Sequence, residues 1–372
     1  MNAPTRVSGY QNAHQALCDR RLVQSMYSEC NVLMERVLLT LHGEAHTCRR
    51  AIEWKLFRRD FARYYEREVY EREVYPATLK RTLAPYLTRG HLDLPKFGFR
   101  VNINLSADIA GIDRPEGSEA ETDSLVALTR KFSEGATLFH STRDKDTVRR
   151  EVAAALQQFN EQFLLPSKSR REALLQQLDE GGLTEGEVPR DILTVLLANR
   201  ADQDLDDDMI LREVAFFMQA GSHSSANALT HSFHEINEWC RRHPEDRARL
   251  LTDDHFLQRC VHESLRLHPA SPVAWRTASE AFSLPDGTDV AEGDSVVIDL
   301  MSANLEAPLF GEDAEVFNPH RTVAARVPPF GLSFGIGIHT CFGRDIAGGL
   351  GDAKTKGEAP HLGTLTNLLK NL

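Results

Sequence analysis

The sequence predicts a mainly α-helical protein with a small β region. Apolar residues recur at helical spacing through 122–137, 143–165, 168–180 and 189–201, and again through a long stretch over 206–240. Between 274 and 298 the texture changes to β-branched residues with turns at Pro285-Asp286-Gly287 and Glu292-Gly293-Asp294, a pattern of hairpins. At 372 residues, 41% hydrophobic and 26% charged, the chain can bury a large core, and it reads as one domain over 1–372.

Taken in order, segment 12–31 reads as a short helix and loop. Gly43-Glu44-Ala45-His46 opens a helix running toward 59, on which His46 and Arg50 stand four apart and share a face. Residues 66–75 repeat Glu-Arg-Glu-Val-Tyr twice, too short for a solenoid, and read as an exposed charged helix. Polar or glycine-containing breaks separate the helical segments between 122 and 201. The stretch over 206–240 ends at Arg241-Arg242-His243-Pro244-Glu245, and Asp253-Asp254 caps the next helix. That helix carries Glu263 and Arg266 on one face, and Pro269 helps to end it.

Charge and composition narrow the partners. A net charge of −11 argues against nucleic acid, whose phosphates favour basic faces. No run approaches the roughly 20 apolar residues of a membrane span, and the N-terminus lacks an apolar signal-peptide core. Six cysteines (Cys18, Cys30, Cys48, Cys240, Cys260, Cys341) lack a framework spacing, which fits a reducing cytoplasm.

The most informative run is Phe334-Gly335-Ile336-Gly337-Ile338-His339-Thr340-Cys341-Phe342-Gly343. Glycines on both sides of one thiol let the backbone turn and approach a flat ligand closely. A lone cysteine does not make a zinc site, which takes about four ligands. It can be the sole protein ligand of a haem iron. A glycine-rich turn around an inert cysteine is the plainer reading of such a run on its own.

The run resembles the haem-binding loop of the cytochrome P450 family, Phe-x-x-Gly-x-x-x-Cys-x-Gly, at Phe334, Gly337, Cys341 and Gly343. Glu263-Ser264-Leu265-Arg266 with Leu267-His268-Pro269 resembles the family's helix-K motif, and Phe317-Asn318-Pro319-His320-Arg321 the loop whose arginine joins that pair. Ala220 and Gly221, in the helix around Val214–Ser225, match helix I; His223 stands where the family has an acid, and Ser224 where it has threonine. The resemblance implies a P450 fold, shortened at both ends, with the motifs over about 40–350. It implies haem b between helix I and the cysteine loop, with Cys341 on the iron and His46, Arg50, Arg276 and His339 on the propionates. Substrate contacts would come from Phe216, Phe217, Val273 and Trp275, and proton delivery from His223 and Ser224 beside Ala220 and Gly221.

The expected activity is therefore that of a soluble, bacterial-type monooxygenase acting on a hydrophobic small molecule. Electrons would come from NAD(P)H only indirectly, through a ferredoxin or flavodoxin and its reductase. Arg49, Arg50, Lys55, Arg58, Arg59 and Arg344 would form a basic patch for that partner. The chain is expected to be a cytoplasmic monomer. Two alternatives stay open: a peroxide-dependent or O2-independent enzyme, suggested by His223, and a haem-binding protein without turnover.

Overall fold

The computed structural model describes residues 3–64, 74–350 and 361–372. In chain order the elements begin with β1 (Thr5–Val7), α1 (Tyr10–Cys18), β2 (Leu22–Gln24), α2 (Asn31–Met34) and α3 (Gly43–Glu53). There follow α4 (Arg59–Tyr64), α5 (Val74–Arg89), α6 (Leu94–Ala110), α7 (Glu119–Ala136), α8 (Lys145–Phe159), α9 (Leu165–Asp179) and α10 (Ile192–Ala198). The rest are α11 (Asp207–Arg242), α12 (Pro244–Arg247), α13 (Asp254–Leu267), β3 (Val273–Ala278), β4 (Phe282–Ser283), β5 (Asp289–Val290), β6 (Ser295–Asp299), α14 (Leu300–Ala303), α15 (Ala307–Phe310), α16 (Arg344–Gly348) and α17 (Gly363–Lys370). They group into two compact units: Met1–Ser25 with Ala62–Ala77 and Ser225–Leu372, and Met26–Phe61 with Thr78–Ser224.

The first unit holds the sheet, in strand order β1-β6-β3-β2. Strand β6 pairs parallel with β1 (Thr5↔Val296) and antiparallel with β3 (Trp275↔Val297), and β3 pairs antiparallel with β2 (Arg276↔Gln24). Val7, Tyr10, Leu17, Val296, Ile298, Phe310 and Leu332 form one core beneath it. The sequence signalled β3 to β6 but neither β1 nor β2. Three-residue strands carry no period of their own and exist only because β6 and β3 offer edges to pair with. Helix α16 stops at Gly348, and α17 begins beside that end, where a Cβ on Gly363 would lie 2.4 Å from Gly349 N. Gln258 Nε2 on α13 donates to His361 O at 2.8 Å and Leu362 O at 3.1 Å, anchoring the resumed chain.

The second unit is helical. Segment 143–165, read as separate from 168–180, is instead one continuous rod from α8 into α9. Pro166 lacks the N–H that an α-helix needs, and the intervening turn Asn160–Leu164 adopts π geometry, with Leu165 N–H donating to Asn160 O. Helix α6 was not read from the sequence at all. It is capped by Asp93, which accepts the Lys96 N–H, and ended by Gly111 at φ 87°, but apolar residues surround its axis, so no amphipathic stripe marks it. Most of the tandem repeat over 66–75 lies outside the described residues; its last two, Val74 and Tyr75, open α5.

Phe132 on α7 and Phe159 on α8, both fully buried, meet edge to face at 5.4 Å between centroids. Phe132→Ala is expected to cost about 3–5 kcal/mol, through lost burial and the cavity left behind. Chemical denaturation against the parent chain measures it.

Candidate functional site

Cys341 is exposed, whereas Cys30 and Cys260 are buried, and burial pushes the Cys260 thiol far up. The Cys341 N–H donates to Phe334 O at 2.9 Å, closing the loop between them. Gly335 and Gly337 have φ of 61° and 76°, and a Cβ on Gly337 would come within 2.7 Å of Leu17 O at the end of α1. That glycine is thus demanded by the fold as well as by any ligand. Gly343 has ordinary φ, and a Cβ there would lie 3.8 Å from the Cys341 sulfur. Phe334 packs edge-on to Phe330 at 5.0 Å, and Phe330 likewise to His262 at 5.5 Å. His339 closes the 3₁₀ turn Gly337–His339, two residues before the thiol.

The loop hangs from a buried charge cluster in the same unit. Arg266, fully buried, donates from Nε and Nη2 to the two Glu263 oxygens at 2.8 and 2.7 Å. Arg321 Nε donates to Glu263 Oε1 at 2.9 Å, and the Asn318 N–H to the same oxygen at 3.1 Å. Arg266 Nη1 also donates to Asn304 O and Ala314 O, both at 2.7 Å. Asn304 passes the connection on: its Oδ1 accepts the Leu332 N–H at 2.7 Å, and its Nδ2 donates to Ser333 Oγ at 3.0 Å. Asn304 escaped the sequence reading, since its partners Arg266, Leu332 and Ser333 come from distant parts of the chain.

On β3, Arg276 is buried and donates from Nη1 to Gln24 Oε1 at 2.7 Å and Trp275 O at 2.8 Å, two neutral acceptors. Val273 and Trp275, both half-buried, share the strand face opposite Arg276, because side chains alternate along a strand.

In the second unit, α3 carries His46 and Arg50. Burial, helped by the charges of Arg50 and His42, lowers the His46 imidazole to about 4, so it is neutral at pH 7. Arg50 lies over the Trp54 ring at 5.7 Å. The basic patch needs correction: Arg49 is buried and paired with Glu213 on α11 at 2.6 Å, facing inward instead of toward a partner. Arg58 and Arg344 are paired with Asp60 and Asp345 at 3.6 and 2.8 Å, and Lys55 is exposed.

On α11, Phe216 and Phe217 are buried, and Phe217 stacks on Phe57 at 5.8 Å. Ala220 and Gly221 are exposed. A Cβ on Gly221 would lie 2.7 Å from Ser106 Oγ on α6, so this glycine sets how closely α6 and α11 approach. Buried Ser222 donates to Met218 O at 2.6 Å and lies 3.1 Å from Ser106 Oγ. His223, exposed, meets Phe99 on α6 edge to face at 5.9 Å, and Arg130 lies over that same Phe99 ring at 5.3 Å. Ser224 Oγ donates to Ala220 O at 3.0 Å. Ser106 and Phe99 escaped the sequence reading because α6 did.

Replacing Glu263 by Ala strands the Arg266 guanidinium in a dry core, and a loss of about 3–5 kcal/mol is expected. Thermal unfolding reads it; Arg321→Ala, which leaves the Glu263–Arg266 pair intact, is expected to lose less.

Comparison with known proteins agrees with these motifs. The Cytochrome P450 family model matches residues 130–348, more than half of the chain. Cytochrome P450 4F4 of Rattus norvegicus is 28% identical over 255 residues, 61% of this chain and 44% of that protein. Mycinamicin VIII C21 methyl hydroxylase of Micromonospora griseorubida is 32% identical over 138 residues, 37% of this chain and 33% of that protein. The chain thus spans less than half the length of these curated relatives. Among solved structures, that of CalO2 superposes with a TM-score of 0.72 at 17% identity, covering 99% of this chain and 82% of the other. P450BioI, in complex with an acyl carrier protein ligated to hexadec-9Z-enoic acid, superposes at 0.68 with 18% identity, covering 98% and 83%. With the cysteine loop, the Glu263–Arg266–Arg321 cluster and the family match in agreement, the chain belongs to the cytochrome P450 family and has its fold.

Proposed function

We propose that this chain is a haem-thiolate monooxygenase that transfers one oxygen atom of O2 to a hydrophobic small molecule, with Cys341 as the axial ligand of haem b. The observation that carries this reading is the Cys341 thiol itself, exposed on a loop closed by its N–H bond to Phe334 and flanked by glycine. The fit to haem is good on that count: one soft sulfur donor is presented on an exposed loop. Bound haem would supply the redox chemistry by which O2 is reduced.

The chain's own residues would do the rest. Arg50, Arg276 and His339 would take the propionates by charge-assisted hydrogen bonds. His46, neutral at pH 7, would act there as a neutral partner. Phe334 and Gly343 would shape the thiolate's surroundings. Ser224 would hold a proton at Oγ, which now donates a hydrogen bond to the Ala220 carbonyl, and His223 would exchange protons with solvent at its imidazole. Phe216, Phe217, Val273 and Trp275 would offer apolar contact to substrate. Ligands named with similar structures, a hexadecenoic acid, corticosterone and erythromycin B, are consistent with a hydrophobic substrate. In this reading one haem-thiolate domain receives electrons from a ferredoxin or flavodoxin and works as a cytoplasmic monomer. Among the described residues no helix is long and apolar enough to cross a membrane.

His223, in the place of the family's acid, favours a second reading in which peroxide replaces O2 and electrons. Turnover with reductase and ferredoxin, compared with turnover on peroxide alone, separates the two.

Cys341→Ser is expected to abolish the red-shifted Soret band of the reduced, CO-bound protein. Persistence of that band would assign the iron to another thiol.

His223→Ala is expected to lower the ratio of product to reductant consumed, with hydrogen peroxide released in its place and haem content unchanged; His223→Asp is expected to restore the ratio. If His223 only packs against Phe99, His223→Ala would shift substrate affinity and leave that ratio as it was.

A further inference from the structure

Where α3 meets the first half of α11, within the second unit, two carboxyl groups and one guanidinium are buried together. Glu53 and Glu213 are fully buried, and Arg49 nearly so. The two acids are not served alike. Glu213 takes the Arg49 Nη1 donor at 2.6 Å and the Leu38 N–H, which lies 3.1 and 3.0 Å from its two oxygens. Glu53 takes nothing: neither of its oxygens has a hydrogen-bond partner among the described residues, and Arg49 Nε stands 3.9 Å from Oε1. Thr194 on α10, which packs against α3, also buries its hydroxyl without a partner.

With both acids ionised, the cluster would bury a net negative charge beside a carboxylate that nothing solvates, at a cost of several kcal/mol. We propose that the cluster is a single-proton site, in which Glu53 is a neutral carboxylic acid at neutral pH and loss of its proton weakens the join of α3 to α11. Donor count decides where the proton sits. Hydrogen bonds favour the charged form of Glu213 and leave Glu53 the cheaper of the two to neutralise.

The charged neighbours are few. Arg49 and Arg50 lie on α3 itself, and Glu213 and Arg212 come from α11, the latter with Nη1 3.9 Å from Glu35. Lys55, in the next turn, is exposed. Of the segments in most extensive contact with α3, Leu38–Thr40 and α10 bring no titratable side chain. Burial first, then the charge of Glu213, pushes the Glu53 carboxyl well above the usual range; burial also raises Glu213, but there Arg49 and the Leu38 N–H oppose it. The folded chain therefore keeps a proton that the unfolded chain gives up above pH ~4.3. Stability from this site is complete below that pH and is lost as pH rises through the native value. Because α3 carries His46 and Arg50, the same loss would reach haem retention if the proposed function holds, but the proton site does not depend on it.

The test is infrared spectroscopy and thermal unfolding of the full chain as purified. The wild type is expected to show the carbonyl stretch of a neutral carboxylic acid at neutral pD while its melting temperature falls from acid toward neutral pH, and that fall is expected to level off over the alkaline range in which the band fades. This titration needs no variant. In Glu53→Gln, which keeps the shape without the proton, the band is expected to vanish and the fall in melting temperature above pH ~4.3 to flatten. Glu53→Met, apolar and of similar volume, serves if the amide does not fold. A band that survives in Glu53→Gln, or is lost only in Glu213→Gln, overturns the assignment, as does an unchanged dependence of melting temperature on pH in both Glu53 variants.

Discussion

Arg266 is the residue around which the thiol-bearing unit is organised. A guanidinium stripped of water is tolerated only if its donors are met, and here they go to the Glu263 carboxylate and the carbonyls of Asn304 and Ala314, with the Phe310 ring 5.1 Å from its carbon. Each acceptor lies in a different segment: α13, the end of α14, and the loop leading to Arg321. Satisfying one charge thus fixes the relative positions of all three. Asn304 extends the constraint to Leu332 and Ser333, and the Phe334 carbonyl holds the Cys341 N–H. Hydrogen bonds, with the peptide link from Ser333 to Phe334 between them, thus connect a buried arginine to the backbone of the residue that carries the thiol. Such a cluster does more to specify one arrangement than to stabilise it, since desolvation offsets much of the attraction.

The second unit is arranged by close approach as well as by charge. Gly221 admits Ser106 of α6 against the backbone of α11, and the buried Ser222 hydroxyl meets Ser106 beside it. Two residues further on, the Ser224 hydroxyl donates a hydrogen bond to the Ala220 carbonyl, and His223 rests on Phe99. The stretch of α11 that departs most from its family is therefore the stretch whose packing partners come from α6. Toward its start the same helix meets α3 through Glu213 and Arg49, a contact made by ionisable groups where apolar ones would have been cheaper to bury.

Much of this was legible from residues in order. The helical period over 122–137 and 206–240 gave α7 and α11 nearly to their ends, and the turns at Asp286-Gly287 and Gly293 gave the hairpin strands. The resemblance of the Glu263–Pro269 run and of the Phe317–Arg321 loop to family motifs named Glu263, Arg266 and Arg321, three residues that the fold brings together. Other parts were silent for physical reasons. Helix α6 spreads its apolar residues around the axis among Arg100, Asn102 and Asn104, so periodicity could not reveal it. Segments 143–165 and 168–180 read as separate because the sequence cannot announce that a π turn over Asn160–Leu164 carries one rod past Pro166. Arg49 read as a surface charge because its spacing beside Arg50 matches a solvated face, and only Glu213, far along the chain, turns it inward.

By itself, then, the sequence determined the helical class, the thiol and its glycine loop, and the acid–arginine spacing on α13. These are local matters, set by backbone freedom, hydrophobic period and residues a turn or two apart. Tertiary structure decided which charges are buried and with whom: Arg266 on the Asn304 carbonyl, Arg49 on Glu213, and Glu53 with no donor. It decided, too, that Gly337 answers to the backbone of Leu17 and Gly221 to Ser106. The reason is common to all of them. Desolvation and close contact depend on what arrives from distant parts of the chain, and a side chain's neighbours in space are not written among its neighbours in sequence.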